Sequence, residues 1–188
     1  MQRDPSIQLD VHPDVYAPAE DTFLLLSAID VERGEKALEM GCGSGIISMH
    51  LAKAGAVVTA ADTDERAVRA TENSAMLNGL NVRVVQSDLF SNTLGGFDLV
   101  VFNPPYLRGD VQGPEDLCWA GGEDGVRLTS RFLDDAKEHL EPGGRVLLLI
   151  SDDMDPSALE IALSGWRAET LCSKTLFFEE LRVLRLTL

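Results

Sequence analysis

The stretch Phe97-Asp98-Leu99-Val100-Val101-Phe102-Asn103-Pro104-Pro105-Tyr106 restricts the folding of this chain more than any other. Its apolar run, Leu99 to Phe102, reads as a buried strand. Asn103-Pro104-Pro105-Tyr106 then ends the strand, because proline fixes φ and has no N–H for a sheet ladder. The strand therefore delivers one amide side chain, one or two free backbone carbonyls and one aromatic ring to a rigid turn at its carboxyl end. In open α/β sheets that is where ligands sit.

Upstream segments repeat the pattern of a strand ending in polar residues. Lys36 to Met40 reads as a short strand entering Gly41-Cys42-Gly43-Ser44-Gly45, followed by a helix from Ile46 to Lys53. A glycine-rich turn between strand and helix lets the backbone approach a ligand and leaves helix N–H groups free to meet it. A dinucleotide fingerprint would place its third glycine at position 46, where this chain has Ile46. That favours a nucleoside without phosphate. Val57 to Ala61 is the second strand and ends at Asp62, about 20 residues beyond the turn, the spacing of an acid that binds ribose hydroxyls. Asp64 is near enough to compete for that role. A helix from Glu65 to Leu77 stops at Asn78-Gly79. The third strand, Asn81 to Val85, leads to Ser87-Asp88-Leu89-Phe90, so Asp88 also falls at a strand end.

Residues Met1 to Val15 contain Pro5 and Pro13 without sustained periodicity and read as a lead-in segment. Pro18, Glu20 and Asp21 suit the first turn of a helix that continues through Phe23 to Ile29, and its start, with Thr22, is a candidate roof for the same site. After the fourth strand, Leu107 to Asp124 reads as a long loop whose tail, Trp119 to Gly125, is a candidate acidic rim. Leu128, Phe132, Ala136 and Leu140 mark a helix ending before Pro142-Gly143-Gly144, and Arg145 to Ile150 is the fifth strand. Asp155 caps a helix from Pro156 to Leu163, closed by Gly165. Trp166 to Ser173 and Leu181 to Leu188 form a terminal hairpin. Strands alternating with helices predict an α/β, Rossmann-like, seven-stranded, mainly parallel sheet with helices on both faces and a C-terminal antiparallel hairpin. Nothing in residues 1–188 marks a second domain.

Charge and cysteine usage narrow the class further. The chain has 188 residues and a formal net charge of -15; lysine occurs only at positions 36, 53, 137 and 174. Such a surface repels phosphate backbones and disfavours nucleic-acid partners. Salt adaptation, as in a halophilic proteome, is favoured over a specific basic partner, since high net charge keeps proteins soluble in brine, and the two are compatible. No run approaches the roughly 18 apolar residues of a membrane span, and Met1 to Asp10 is not signal-like, which places the protein in the cytoplasm. Cys42, Cys118 and Cys172 are widely spaced and the histidines are scattered; the cysteines read as free thiols, with neither a disulfide framework nor a metal site.

The combination resembles the class I S-adenosylmethionine-dependent methyltransferases over nearly the whole chain from about Tyr16. The likeness implies S-adenosyl-L-methionine as cofactor, with S-adenosyl-L-homocysteine as product. It implies that Glu39, Gly41, Gly43 and Gly45 form the first cofactor motif, with Thr22 also binding the cofactor. Asp62 would bind the ribose, Asp88 with Leu89 would border the adenine, and Asn103 would adjoin the methyl donor. Asn103-Pro104-Pro105-Tyr106 looks like the signature of enzymes that methylate a planar amino nitrogen: adenine N6, cytosine N4 or a glutamine side chain. Such a nitrogen shares its lone pair with a π system and is a poor nucleophile. Acceptors on both of its N–H bonds, Asn103 Oδ1 and the Pro104 carbonyl, favour the positive charge of transfer, and Tyr106 packs on the planar group. Asn103, Pro104 and Tyr106 are the expected catalytic residues, and Pro105 joins them in binding substrate.

Val15 to Leu26 and Trp119 to Gly125 look like the short archaeal and eukaryotic branch of the HemK-like release-factor glutamine methyltransferases. This implies N5-methylation of the glutamine in the Gly-Gly-Gln motif of a class I peptide release factor. It also implies a heterodimer with a small zinc-binding activator, at a sheet edge expected along Asn81 to Gln86. Adenine N6 in DNA or RNA, protein lysine methylation, and a non-catalytic scaffold are the alternatives.

Overall fold

The computed structural model describes residues 1–106, 125–176 and 179–188. Among them, seven strands join one sheet: β1 (Lys36–Met40), β2 (Val57–Asp62), β3 (Val82–Gln86), β4 (Phe97–Phe102), β5 (Leu140–Ser151), β6 (Arg167–Leu176) and β7 (Glu179–Thr187). Five helices accompany them: α1 (Glu20–Ala28), α2 (Ile46–Ala54), α3 (Glu65–Asn78), α4 (Arg127–His139) and α5 (Pro156–Ala162). The strand order is β3-β2-β1-β4-β5-β7-β6. Parallel pairing runs from β3 to β5, and β7 is antiparallel to both β5 and β6. This is the expected mainly parallel sheet with a terminal hairpin.

Burial explains why β4 stands near the centre. Leu99 and Val101 face one apolar cluster with Leu25, Ile47 and Leu51, whereas Val100 and Phe102 face another with Phe132, Leu133 and Leu159. Helices α1 and α2 thus cover one face and α4 and α5 the other, so a continuous apolar run is what the strand requires. Phe132 is fully buried, and its ring centroid lies 4.5 Å from that of Phe102, immediately before Asn103. The chain leaves β1 to build β2 on one side, and β4 lies on the other. Their register brings Met40 level with both Ala61 and Phe102. The carboxyl ends of β1, β2 and β4 therefore share one rim, at a topological switch point.

Some local expectations need correction. Pro18 precedes the N-cap, Ala19, and lies outside α1, while Glu20 and Asp21 do occupy the first turn. The cap region is closed by Thr22 Oγ1, which accepts from Ala19 N at 3.4 Å. Pro142-Gly143-Gly144 is not a break before the fifth strand. Leu140 already pairs with Phe97, the register then shifts, and pairing resumes at Leu99 with Arg145. The glycines permit this bulge: Gly143 has φ +82, and a Cβ on Gly144 would lie 2.8 Å from Phe97 O. Asp155 caps α5 as expected, accepting from Ser157 N and Ala158 N.

The lead-in segment forms neither helix nor strand but is strapped across α2 and α3. Asp10 N donates to Ser74 Oγ at 3.0 Å and Gln8 N to Asn78 Oδ1 at 2.9 Å. Asp4 N donates to His50 Nε2, which obliges Nδ1 of that ring to carry the proton it gives to Ile46 O. Cys42 is a buried free thiol and Cys172 a half-buried one, while Cys118 lies outside the described residues. Among the described residues no helix is long and apolar enough to cross a membrane. Phe132→Ala should lower the unfolding free energy by about 3–5 kcal/mol, read from the urea midpoint at constant slope, because the vacated volume lies beneath Phe102.

Candidate active site

A cavity of about 230 Å³ opens at the shared rim of β1, β2, β3 and β4. Its floor is the glycine turn. Gly41 and Gly43 line it with φ +65 and +52, and a Cβ on Gly43 would lie 3.6 Å from Tyr16 O, where the end of the strap crosses. Gly45 stands off the cavity as the N-cap of α2; its missing Cβ would meet Thr71 at 2.8 Å, so this glycine serves helix packing. Ile46 lines the wall where a pyrophosphate site would need glycine.

Two acids, Glu39 buried and Asp62 half-buried, face this floor. Asp62 accepts from Gly43 N and Asp64 N, each at 3.0 Å, and burial pushes its carboxyl above the usual range. Asp64 is already committed: it caps α3 through Arg66 N and pairs with the Arg66 guanidinium at 2.8 Å. Glu39 is fully buried and accepts from Ser48 N at 2.7 Å and from the Ser48 hydroxyl. Burial pushes Glu39 up to about 8; the Ser48 bonds oppose the rise and the neighbouring Asp62 charge adds to it. Carboxyls raised in this way by burial gain from a cationic ligand, which favours their charged forms, and reject a pyrophosphate.

Asp88 and Leu89 form one side. Leu89 is buried on the cavity wall at φ +48, and Ser87 Oγ donates to its carbonyl at 2.6 Å. A leucine held there stores about 1–2 kcal/mol of strain. Asp88 lines the mouth and pairs with Arg131 at 2.9 Å.

Asn103, Pro104, Pro105 and Tyr106 form the opposite wall. Asn103 Nδ2 donates to Asp21 Oδ2 at 2.8 Å, while Asn103 Oδ1 is buried without a partner among the described residues. Tyr16 OH donates to the same Asp21 oxygen at 2.9 Å. Burial foremost, then the Asp21 and Glu179 charges, raises the Tyr106 phenol well above its ordinary range, and Glu179 itself accepts from Ser151 Oγ at 2.6 Å. Thr22 is buried on the wall, and its hydroxyl donates to Asp21 Oδ1. Trp119 to Asp124 of the expected rim lie outside the described residues; Gly125 passes Tyr106 so closely that a Cβ would meet its carbonyl oxygen at 2.5 Å. Asp21, Tyr16 and Glu179 escaped sequence reasoning. An acid in a helix's first turn is generic, and Glu179 reaches the site only through the β7 pairing.

A doubly wound sheet with a glycine turn, strand-end acids and an acceptor-rich Asn-Pro-Pro-Tyr turn defines a Rossmann-like transferase of the methyltransferase type. Residues 7–166 match the family described as "Methyltransferase small domain". A putative protein N5-glutamine methyltransferase of Methanocaldococcus jannaschii is 35% identical, over 95% of this chain and 94% of its own. The mouse protein named methyltransferase HEMK2 is also 35% identical, over 92% of this chain and 89% of its own. A solved Encephalitozoon cuniculi (E. cuniculi) Mtq2–Trm112 complex, described as responsible for methylation of the eRF1 translation termination factor, superposes with TM-score 0.74 at 26% identity, covering 92% of this chain and 98% of that one. The chain belongs to the methyltransferase small-domain family, in its HemK-like glutamine methyltransferase branch.

Glu39 gives a pH prediction. Its folded pKa lies above its unfolded value, so the folded state holds the extra proton between about 4.5 and 8, and stability falls as pH rises through that window. Glu39→Gln should remove this component. The loss of unfolding free energy between pH 5 and pH 8 should be smaller in the variant than in wild type, measured by urea titration at each pH.

Proposed function

We propose that this chain transfers a methyl group from S-adenosyl-L-methionine to N5 of the glutamine in the Gly-Gly-Gln motif of a class I peptide release factor. The observation that carries the reading is Asn103 Oδ1, a buried acceptor at the end of β4 without a partner among the described residues. Leaving such an atom unpaired costs about 1–3 kcal/mol, and the N–H of a substrate amide would satisfy it. The names of the relatives agree with that substrate: a Schizosaccharomyces pombe eRF1 methyltransferase catalytic subunit is 34% identical over 73% of this chain.

The cofactor's residues would be Gly41 and Gly43 at the turn, Asp62 for the ribose, Asp88 and Leu89 beside the adenine, with Thr22, Glu39 and Asn103 around the remainder, while Gly45 would serve the turn only by letting α2 pack on Thr71. When bound, the cofactor supplies an electrophilic methyl group on a sulfonium and leaves as S-adenosyl-L-homocysteine. The chain's own part is to orient the acceptor. Asn103 Oδ1 and the Pro104 carbonyl accept from the two amide N–H bonds, withdrawing proton character so that the nitrogen lone pair is available. Tyr106, half-buried on the cavity wall, packs on the carboxamide plane and excludes water. The nitrogen gains the methyl group and loses one proton to solvent.

Methylation of adenine in RNA or DNA is the second reading, and one observation favours its substrate class, a nucleic acid, though not adenine itself. Ribosomal RNA small subunit methyltransferase C of Alcanivorax borkumensis is 36% identical, but over only 71% of this chain and 38% of its own. The net charge of -15 opposes a nucleic-acid substrate. Salt adaptation accounts for that charge, and the cytoplasm is where a release factor is met.

The activator, a small zinc-binding subunit, would pair with β3. Among the described residues β3 is a sheet edge, its Val82, Val84 and Val85 are half-buried, and Met76 and Leu77 stand exposed on the adjoining α3. An apolar unpaired edge is a template for an added strand. Val84→Lys should abolish co-purification with the activator while the isolated chain keeps its circular dichroism; an unchanged complex would move the interface elsewhere.

Incubating the complex with radiolabelled cofactor and release factor should label wild-type substrate and not one with the Gly-Gly-Gln glutamine replaced. Asn103→Ala should keep cofactor binding by calorimetry and lose about 10²–10³-fold in turnover. Labelling of RNA but not of release factor would reverse the choice of substrate.

A further inference from the structure

Asp21 occupies an unusual position in the hydrogen-bond network. Its Oδ1 accepts from Thr22 N at 2.7 Å and from Thr22 Oγ1 at 3.3 Å. Its Oδ2 accepts from Tyr16 OH at 2.9 Å and from Asn103 Nδ2 at 2.8 Å. Four donors converge on one side chain that is 5% exposed. Only a carboxylate accepts at both oxygens; an amide at position 21 would turn its own NH₂ either towards the Thr22 N–H or towards the Asn103 NH₂.

We infer that Asp21 is a positioning residue that fixes the orientation of the Asn103 carboxamide, so that the site presents an oxygen and not an NH₂ to the substrate. The inference rests on the proposed glutamine methylation. An asparagine amide has two faces of nearly equal shape, and its partner decides which atom points where. With Asp21 as that partner, Asn103 Nδ2 is held and Oδ1 is left as the open acceptor. The charge on Asp21 also strengthens the bond it receives and raises the acceptor strength of Oδ1 through the polarised amide. The consequence is specificity: a primary amide enters donor-first, and a carboxylate, which has no N–H, meets only acceptors. Tyr16 ties the same carboxylate to the segment that crosses the glycine turn, so closure of that segment and the orientation of Asn103 share one anchor.

The test compares wild type, Asp21→Ala, Asp21→Asn, Asn103→Ala and the Asp21→Ala/Asn103→Ala double variant, each complexed with its activator, with release factor as substrate. Asp21→Ala should lose about 10²-fold in kcat, with KM for the release factor and Kd for the cofactor each within about threefold of wild type. The double variant should be no slower than Asn103→Ala alone, because Asp21 acts through Asn103. Asp21→Asn, which keeps size and burial, should also lose kcat. Independently of turnover, ¹⁵N spectra should show a downfield Asn103 carboxamide proton that moves upfield in Asp21→Ala. Turnover of Asp21→Ala within about threefold of wild type, or a double variant slower than Asn103→Ala by the full Asp21→Ala factor, would sink the inference. A wild-type complex that leaves glutamine unmethylated, with the carboxamide signal still responding to Asp21→Ala, would overturn the substrate reading and uphold the orienting role. An unresponsive signal would overturn the orienting role whatever the substrate.

Discussion

Leu99, Val100, Val101 and Phe102 are no more than 2% exposed, because helices cover both faces of β4. A strand buried in this way has to stop where its next residues cannot be kept dry, and the two prolines after Asn103 set that point. The place where β4 ends fixes the height of Asn103 relative to the ends of β1 and β2, since Met40 is in register with both Ala61 and Phe102. The glycine turn, the strand-end acids and the acceptor turn thus share one rim through backbone pairing alone. Phe132, packed beneath Phe102, converts helix packing on one face into precision at the next residue.

Much of this architecture was legible in the sequence because its signals are local. β1 occupies the expected Lys36 to Met40, and Asp155 ahead of Pro156 marked the start of α5. Helix α3 stops at Gly79 as the Asn78-Gly79 pair predicts. Pro142-Gly143-Gly144 misled, because the residues that break a helix also permit a bulge, and only the partner strand decides between them. The site was half legible. Residues at strand ends follow from strand boundaries, whereas Asp21 meets Asn103 across 82 positions of sequence and only after α1 has docked on the sheet. No periodicity carries that contact. Asp62 and Asp64 were indistinguishable by spacing, and it took the Arg66 pairing to separate them.

The two ends of the cavity differ electrostatically, and the difference follows from who supplies the donors. At the floor, Glu39 and Asp62 are satisfied by backbone and hydroxyl groups, with no cation beside them among the described residues, so burial raises both. At the opposite wall, Asp21 is held by four donors, and the two nearby phenols are raised in turn. The result is a cavity lined by oxygens from end to end. It favours cations and N–H donors as a matter of composition, before any particular ligand is considered.

The two edges of the sheet are chemically unlike. β6 carries Arg167, Glu169 and Lys174 along its outer run, whereas β3 has Arg83 alone among valines. Growth of the sheet is thereby made one-sided: charges oppose a new strand at one edge and little opposes it at the other. With strands spaced about 4.8 Å apart, a strand added beyond β3 would stand four spacings, roughly 19 Å, from β4. That added strand is itself too distant to touch the reacting nitrogen. Its leverage would be over solubility and the cofactor side of the cavity, leaving the mouth beside Tyr106 open for a substrate to approach from the other half of the sheet.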